Sequence, residues 1–336
     1  MSIRVRYFKK GSVPQNAWFK WKEASMSEHW AHQRRAWRLF RFCAFAAGVV
    51  ILFLLACCKD AQTSAYTPEY TTAPKDTPNV LIFGIHPLYN PQRLQETYGP
   101  LIDYLNRNLV GAKIQLEASR SYETFEQKLY DRHFHFALPN PYQTINSLKH
   151  GYRVFGKMGG DDQFRGIILV RKDSGINTVT DLKGKTISFP APTALAATMM
   201  PLYYLHTLGL DVNRDIHRLF VGSQDSVMMN VYLGQTAAGA TWPPPWQAFV
   251  ERHPQIAAEL VVKWETPALI NNGLVVRDDI PQPLLEQVAT LLFALHTTEE
   301  GRKLLAALPL GSFVSATNET YQPVYTFMEN YNAAIH

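Results

Sequence analysis

The chain has 336 residues, and 46% of them are hydrophobic, which is enough for a sizeable core in one large domain or two medium ones. Its net charge of +5 is concentrated at one end: residues 1–56 hold ten of the 33 Lys and Arg but only two of the 28 acids, which leaves 23 bases and 26 acids in the remainder, a net charge near −3. The slightly negative charge of the remainder excludes a basic nucleic-acid surface there. The lack of cysteine after residue 58 excludes a disulfide framework and a thiol enzyme in the same part.

Residues 1–56 have the parts of an export signal. Four arginines precede an apolar run at residues 42–56, and its 15 residues are fewer than the about 20 that span a bilayer. The run ends with the letters LLAC at residues 54–57, which resemble a bacterial lipobox, a motif that is cleaved just before its cysteine and lipidated on it. We therefore predict a lipid anchor on Cys57; the alternative is a signal anchor that stays uncleaved as a membrane helix.

Neither segment beside the apolar run has the pattern of a packed domain. The segment before it is about 40 residues long, whereas a complete signal takes about 15–30. A start at Met26 would shorten that segment to 16 residues, and a cytoplasmic tail is the alternative. After the run, residues 57–78 contain three Pro and six Ser or Thr, which is typical of a flexible tether.

From residue 79 onwards, short apolar runs alternate with segments that have apolar residues at helical spacing. The first round predicts helices at residues 94–109, 122–130 and 142–148, and strands at 80–83, 113–116, 134–138, 152–155 and 166–170. The second predicts strands at 185–189, 218–221 and 237–241, and helices at 193–208, 226–233 and from about 245. Further helices are predicted at 284–295, 299–305 and 321–331. This alternation indicates an α/β fold with parallel sheet, and the two similar rounds indicate two lobes.

Short motifs follow one another along residues 80–324: FGIHPLYNP at 83–91, DLKGKTISF at 181–189, GSQD at 222–225, GLVVRDDIP at 273–281, TEEGRK at 298–303 and SFV at 312–314. In this order and spacing, the chain resembles the substrate-binding proteins of phosphate, phosphite and phosphonate ABC transporters, a branch of the type II periplasmic binding proteins. The resemblance covers most of the chain after the tether.

The resemblance implies a two-lobed, periplasmic-binding-protein-like α/β fold with a central cleft and two hinge crossovers. We place the crossovers at residues 166–171 and 274–277. Lobe 1 is expected at residues 79–168, completed by C-terminal helices at about 278–336, and lobe 2 at residues 169–277. The expected motion is hinge closure over a ligand.

Three strand-to-helix turns, at residues 139–142, 192–193 and 222–225, are expected to face the cleft, where helix N-termini offer N–H groups to an anion. The family usually has an SSTSG sequence at the second turn, whereas this chain has TALAA at residues 193–197, so only Thr193 keeps a hydroxyl. The histidine of the family's GSHD motif is replaced by Gln224. These changes predict weak anion binding and favour a ligand that is less charged or larger than a phosphonate.

Aromatic residues gather around the predicted cleft, namely Phe83, Tyr89, Tyr142, Phe189, Trp242 and Trp246. The letters WPPPW at residues 242–246 follow a strand, and we predict a proline-stiffened loop whose indoles form a wall of the site. Core packing is the alternative interpretation of these aromatic residues. The predicted ligand-binding residues are Tyr89, Tyr142, Thr193, Ser223, Gln224, Asp225 and Trp242.

No catalytic or metal-binding set can be assembled from the sequence. His133 and His135 would share a strand face with His86 nearby, but without a carboxylate cluster we interpret them as surface or core histidines. Serine-hydrolase, P-loop and dinucleotide-binding motifs do not occur. The sequence therefore predicts neither an enzyme nor a protein that holds a metal or cofactor.

Together these features predict an exported, lipid-anchored solute-binding protein of the periplasm that captures a small ligand in a cleft between two lobes for transport. The expected partners are the small-molecule ligand, the membrane through the lipid anchor, and a permease or other transporter, with no nucleic acid. Two alternatives stay open: a carrier of a less charged aromatic or lipid-like ligand, for example a sterol-like one, and a ligand-sensing module that signals through a separate membrane protein.

Overall fold

The structure, a computed structural model, describes residues 79–308 and 311–335. The predicted signal region, Cys57 and the tether lie outside the described residues. Those that are described belong to a compact unit of residues 74–336. Within this part of the chain, no helix combines the length and the apolar character needed to cross a membrane.

The first sheet is built from six of the strands in the described residues: β1 (Asn79–Ile85), β2 (Ala112–Ala118), β3 (Phe136–Leu138), β4 (Tyr152–Met158), β10 (Gly273–Arg277) and β11 (Phe313–Ser315). Their order across the sheet is β11-β4-β10-β3-β1-β2. Strand β1 is parallel to both β2 and β3, whereas β10 is antiparallel to β3 and β4 and β11 is antiparallel to β4.

The second sheet takes the other five strands of the described residues: β5 (Ile167–Arg171), β6 (Lys185–Phe189), β7 (Ile216–Phe220), β8 (Ala238–Thr241) and β9 (Leu260–Glu265). Their order is β7-β6-β8-β5-β9. Strand β6 is parallel to β7 and β8, and β5 is antiparallel to β8 and β9. Two separate α/β sheets confirm the predicted fold class and its two lobes.

The chain passes between the sheets twice, from β4 to β5 through residues 159–166 and from β9 back to β10 through residues 266–272. The crossovers predicted at residues 166–171 and 274–277 are therefore wrong in position, because β5 and β10 each lie wholly inside one sheet. Both strands have neighbours on either side, which explains their continuous apolar sequences: a central strand is buried on both faces.

Ten α-helices connect and cover the strands in the part of the chain that the structure describes. They are α1 (Pro91–Asn108), α2 (Tyr122–Tyr130), α3 (Pro141–Ser147), α4 (Met200–Thr207), α5 (Gln224–Tyr232), α6 (Pro243–Arg252), α7 (Pro254–Ala257), α8 (Gln282–Phe293), α9 (Glu299–Ala307) and α10 (Gln322–Ile335). Polar side chains start several of them: Asn90, Ser121 and Ser223 each accept a hydrogen bond from a backbone N–H of the first turn.

The helix predicted at residues 193–208 has a wider first turn. Leu195–Met199 forms a π-helix, with the N–H of Met200 bonded to the carbonyl of Leu195, and α4 continues from there. Pro201 has no N–H to donate to the carbonyl of Ala197, so the regular α-helical bond between these residues cannot form.

Candidate ligand-binding site

A small cavity, here named the cleft cavity, lies where loops and helix starts from the two sheets meet. It leaves about 10 Å³ for the centre of a water molecule, which is room for about one water. Residues connected to both sheets line it: His86, Tyr122, Asn140, Phe164, Ala194, Leu195, Ala196, Ala197, Gln224, Trp242 and Asn272. The three turns predicted from the sequence thus contribute neighbouring residues to one cavity.

Asn140 joins the two sides of the cleft cavity. Its Oδ1 accepts a hydrogen bond from the N–H of Gln143 at 3.1 Å, and the side chain of Gln143 accepts in return from the N–H of Asn140, which forms a capping box at the start of α3. The remaining group, Nδ2, donates to the carbonyl of Thr193 at 3.0 Å. One side chain therefore caps a helix on one side of the cleft and holds the turn on the other.

Gln224 makes a second link across the cavity. Its Oε1 accepts a hydrogen bond from Oγ1 of Thr241 at 2.7 Å, and its Nε2 donates to the hydroxyl of Tyr122 at 3.5 Å. The residue is only 3% exposed, so these bonds satisfy an amide that would otherwise be buried at a cost. The amide that replaces the family's histidine is thus bonded to both sides of the cleft.

The first side of the cavity carries polar groups without charge. Nδ1 of His86 donates to the carbonyl of Leu138 at 2.8 Å, and burial lowers the pKa of this histidine to about 4, so the ring is neutral at pH 7. Asn272 is fully buried and its Nδ2 donates to Sδ of Met158, while its Oδ1 has no hydrogen-bond partner among the described residues.

The turn at residues 193–197 brings apolar side chains to the second side. Ala194, Leu195, Ala196 and Ala197 all line the cavity and are all buried. None of these side chains can donate a hydrogen bond, and the leucine fills volume beside the cavity. The donors of this turn are the backbone N–H groups at the start of the π-helix, which by geometry have no acceptor within the helix.

Three prolines alter the helix start next to Trp242. We predicted a stiff loop at residues 242–246; instead Trp242 is the N-cap of α6, and Pro243, Pro244 and Pro245 fill its first three positions. The fixed φ of proline suits the first turn of a helix, which is why a helix starts here rather than a loop. Proline has no N–H, so this helix start lacks three of the donors with which helix N-termini usually hold anions.

Of the seven predicted ligand-binding residues, Gln224 and Trp242 line the cleft cavity. The Trp242 ring contacts Phe164 edge to face, with ring centres 5.5 Å apart. Thr193 precedes the lining residue Ala194 and is not itself part of the lining, and its carbonyl accepts the bond from Asn140. The other four residues have partners elsewhere.

Ser223 and Asp225 serve the start of α5. Oγ of Ser223 accepts from the N–H of Ser226 at 3.1 Å, and Oδ1 of Asp225 accepts from Nη2 of Arg252 at 2.6 Å. That ion pair is partly exposed and links α5 to α6. Neither side chain is among the residues that line the cleft cavity.

Tyr89 and Tyr142 also lie outside the cavity lining. The guanidinium of Arg93 lies 3.8 Å above the centre of the buried Tyr89 ring, a cation–π contact beside the first sheet. Tyr142 is half-buried in α3, where burial, reinforced by Glu126, raises the pKa of its hydroxyl. Charged residues beside the second sheet, Asp225, Glu251 and Arg252, also act on the hydroxyl of Tyr89, whereas Tyr142 interacts with groups on the side of the first sheet.

The remaining predicted aromatic residues pack in the cores. Phe83 stacks on Phe136 with ring centres 6.3 Å apart, Phe189 contacts Phe220 at 6.1 Å, and Trp246 stacks on Phe249 at 6.1 Å. Core packing, the alternative stated for this group, therefore describes them, and Trp242 is the member of the group that lines the cavity.

The two neighbouring histidines have other partners. Nε2 of His133 lies 2.9 Å from Oε2 of Glu117, and Nδ1 of His135 accepts a hydrogen bond from the N–H of Ile82 at 3.0 Å. Among the described residues, no three His, Cys, Asp or Glu side chains are arranged to hold a metal ion.

Sequence reasoning did not select Tyr122, Asn140 or Asn272 as site residues. Asn140 had a detectable signal, because Asn-Pro with Gln three positions after the Asn is a capping pattern at the end of a strand. Asn272 had a weaker one, since two polar residues precede the apolar strand β10. Tyr122 had none, because nothing local shows that its hydroxyl meets Gln224 from the other sheet.

Solved structures share this fold. A binding-protein component of an ABC phosphonate transporter from Pseudomonas aeruginosa superposes with a TM-score of 0.69 at 17% identity, covering 76% of this chain and 87% of the other. PhnD1 from Prochlorococcus marinus, solved with methylphosphonate, has a TM-score of 0.70 at 17% identity over 76% and 99%. The alkanesulfonate-binding protein SsuA from Xanthomonas axonopodis pv. citri, bound to MOPS, has 0.57 at 17% over 76% and 94%.

The family model described as the periplasmic substrate-binding protein of phosphonate ABC transporters matches residues 83–321, which confirms the resemblance seen in the motifs. The match spans most of the chain and both of its sheets. The protein therefore belongs to this family of extracytoplasmic solute-binding proteins, whose members bind substrates for transport and are not a class of enzymes.

Proposed function

We propose that this chain is an exported, lipid-anchored solute-binding protein that captures a small ligand between its lobes and presents it to a membrane permease. Support comes from the cleft cavity, whose lining belongs to both lobes and which two hydrogen bonds cross, from Asn140 to Thr193 and from Gln224 to Tyr122. A ligand in such a place touches both lobes and stabilises the closed form.

The lobes of this proposal follow the sheets. Lobe 1 contains residues 79–158 and 273–335, lobe 2 contains residues 167–265, and the hinge consists of the crossing segments 159–166 and 266–272. Opening is a rotation at the two crossing segments that separates Asn140 from Thr193. The permease would recognise the closed arrangement of the lobes, which the bound ligand stabilises.

A second candidate differs in its ligand: a carrier of a less charged aromatic or lipid-like molecule. The apolar side chains at residues 194–197 and the three prolines at the start of α6 favour it over a carrier of small phosphonates. Both changes remove donors that a tetrahedral anion needs.

Native mass spectrometry of the exported protein tests the proposal of solute capture. We expect a bound mass at one molecule per chain, released when the lobes are unfolded by acid or organic solvent. Protein that carries no additional mass from any growth medium, and that gains none when a cell extract is added, would contradict capture.

Asn140→Asp is expected to shift the lobes towards the open form. The carboxylate still caps α3, but it cannot donate to the carbonyl of Thr193 and repels it. A loss of about 1–2 kcal/mol would change the ratio of open to closed protein about 5- to 30-fold. Small-angle scattering without ligand should show a larger radius of gyration.

Asn230→Asp is the matched control, because Nδ2 of Asn230 also donates to a backbone carbonyl, that of Ser226, within a single helix of lobe 2. Its radius of gyration should equal that of the parent protein. If Asn140→Asp also leaves the radius unchanged, the bond to Thr193 does not hold the lobes together.

The lipid anchor makes a separate prediction. Cells given a clickable fatty acid should attach it to the parent protein, and Cys57→Ala should abolish the label because the lipobox cysteine is the acceptor. Cys58→Ala serves as the control and should keep the label. Label on the Cys57→Ala protein would rule out Cys57 as the anchor.

A further inference from the structure

The lining of the cleft cavity contains no charged side chain. Its polar members are His86, Tyr122, Asn140, Gln224 and Asn272, and no Lys, Arg, Asp or Glu of the described residues is among the lining. A charge of either sign enclosed here would have no counter-charge, and an unpaired buried charge is far more costly than a buried neutral group. The charge of a ligand therefore affects its binding to this cavity more than its shape does.

Hydrogen-bond acceptors are left over on His86 of lobe 1 and on Asn272 of the hinge. Nδ1 of His86 carries the proton that it donates to the carbonyl of Leu138, so in the neutral ring Nε2 is an acceptor. Oδ1 of Asn272 is buried and unpartnered, although the same amide donates through Nδ2 to the weak acceptor Sδ of Met158. A buried acceptor without a partner costs about 1–3 kcal/mol, which a donor from a ligand would recover.

The lobe 2 side of the cavity is largely apolar, and its polar side-chain groups are the amide of Gln224 and the indole N–H of Trp242. Leu195, Phe164 and Trp242 line it, and the edge-to-face contact between the two aromatic rings fixes their orientation. Trp242 is only 3% exposed, so its indole is already held in place by its neighbours. The indole therefore offers apolar area to a ligand without a large loss of side-chain entropy. Apolar ligand surface buried here contributes about 25 cal/mol per Å².

From this arrangement we infer that the cleft takes an uncharged small molecule that carries an N–H or O–H group, which donates to Asn272 and His86 while its apolar part packs on Trp242 and Leu195. The inference rests on the proposed function and names its ligand class. With the lobes closed as they are here, the cavity has room for about one water, so a larger ligand of this class binds as the lobes separate around it.

Matched neutral and ionised probes test the inference by ligand-observed NMR and calorimetry at pH 7. The pairs are acetamide with acetate and benzamide with benzoate, so that size is held nearly constant while charge changes. We expect at least one neutral member to bind at least about tenfold more tightly than its ionised partner.

Asn272→Leu should then weaken binding of that neutral probe by about tenfold, which corresponds to about 1.4 kcal/mol, without lowering the melting temperature, since it removes an unpartnered buried acceptor. Asn230→Leu, which alters an amide of lobe 2 outside the cavity lining, should leave the affinity unchanged. Unchanged affinity in Asn272→Leu would overturn the role of its Oδ1.

The outcomes separate the ligand class from the proposed function. Tighter binding of the ionised members would overturn the inference and leave solute capture standing. Failure of every probe, together with the absence of any bound mass in the native spectrum, would overturn both.

Discussion

Phosphate, phosphite and methylphosphonate are expected to bind this protein with dissociation constants of about 1 mM or weaker, or with no measurable heat in calorimetry. Three side-chain positions where the family usually has Ser or Thr are Ala194, Leu195 and Ala196, all of which line the cleft cavity. Each lost donor to a charged oxygen is worth about 1.5 kcal/mol, so three together reduce the affinity about a thousandfold.

Neighbouring groups do not make up the loss. Pro243, Pro244 and Pro245 deprive the start of α6 of N–H donors, and the guanidinium of Arg252 is paired with the carboxylate of Asp225. Backbone N–H groups at the start of the π-helix remain. Together with the neutral donors of the lining, the hydroxyl of Tyr122 and the indole of Trp242, they would have to complete the shell of a tetrahedral anion without any counter-charge.

The reverse substitutions should create the missing site. Ala194→Ser, Leu195→Thr and Ala196→Ser in one protein are expected to raise the affinity for methylphosphonate by about 100- to 1,000-fold. Leu195→Ala alone is the control, because it frees the volume of the side chain without adding a donor and should change the affinity much less. Sub-micromolar binding by the unmodified protein would show that backbone donors suffice.

The strands and helices of the described residues were largely predictable, because their patterns are local. The strand at residues 185–189 and the helix at residues 122–130 match Lys185–Phe189 and Tyr122–Tyr130 at both ends. Strand β9 (Leu260–Glu265) was missed: it is an edge strand of the second sheet and half-buried along most of its length, which weakens its apolar signal. The short β11 follows the same rule at the edge of the first sheet.

The site was predictable only to the level of its turns. Strands that run parallel bring their carboxyl ends to one edge, so the turns after β6 and β7 could be expected together, whereas the turn after β3 belongs to the other sheet and joins them only across the cleft. Which side chains face the cavity depends on long-range contacts. Asp225 is turned to Arg252 and Tyr89 lies under Arg93, whereas Asn272 comes to the cavity from a crossing segment far away in the sequence.

Folding stability is expected to fall by about 3 kcal/mol when the pH is lowered from about 6.5 to about 4, because of His86. The ring is 3% exposed, and burial lowers its pKa from 6.5 to about 4 even though the bond to the carbonyl of Leu138 opposes the change. In this pH range His86 is protonated in the unfolded chain but not in the folded chain, so the free energy of unfolding decreases as the pH falls. The difference between the two pKa values of His86, at about 1.4 kcal/mol for each unit, gives the expected loss of stability.

Two other sets of groups have to be separated from this effect. Burial also lowers the pKa of His135, whose Nδ1 accepts from the N–H of Ile82, so this residue adds to the loss in the same direction. Hydrogen bonds from Arg132 and Arg277 lower the pKa values of Asp278 and Asp279, and stability from these carboxylates is lost only as the pH falls through their lowered pKa values, below their ordinary range. Glu117 and Glu319, whose pKa values are also lowered from 4.5, lose their contributions below about that pH, so the loss between about 4.5 and 6.5 comes mainly from the histidines.

Urea unfolding at a series of pH values measures the effect, and His86→Gln isolates it. The glutamine amide can still donate to the carbonyl of Leu138 but cannot take up a proton, so the variant should be less stable at pH 7 and lose most of the slope between pH 6.5 and 4. His217→Gln, at an exposed position of β7, is the control and should keep the slope of the parent protein. A slope that survives in His86→Gln would mean that other groups cause it and that the pKa of His86 is not lowered in the folded protein.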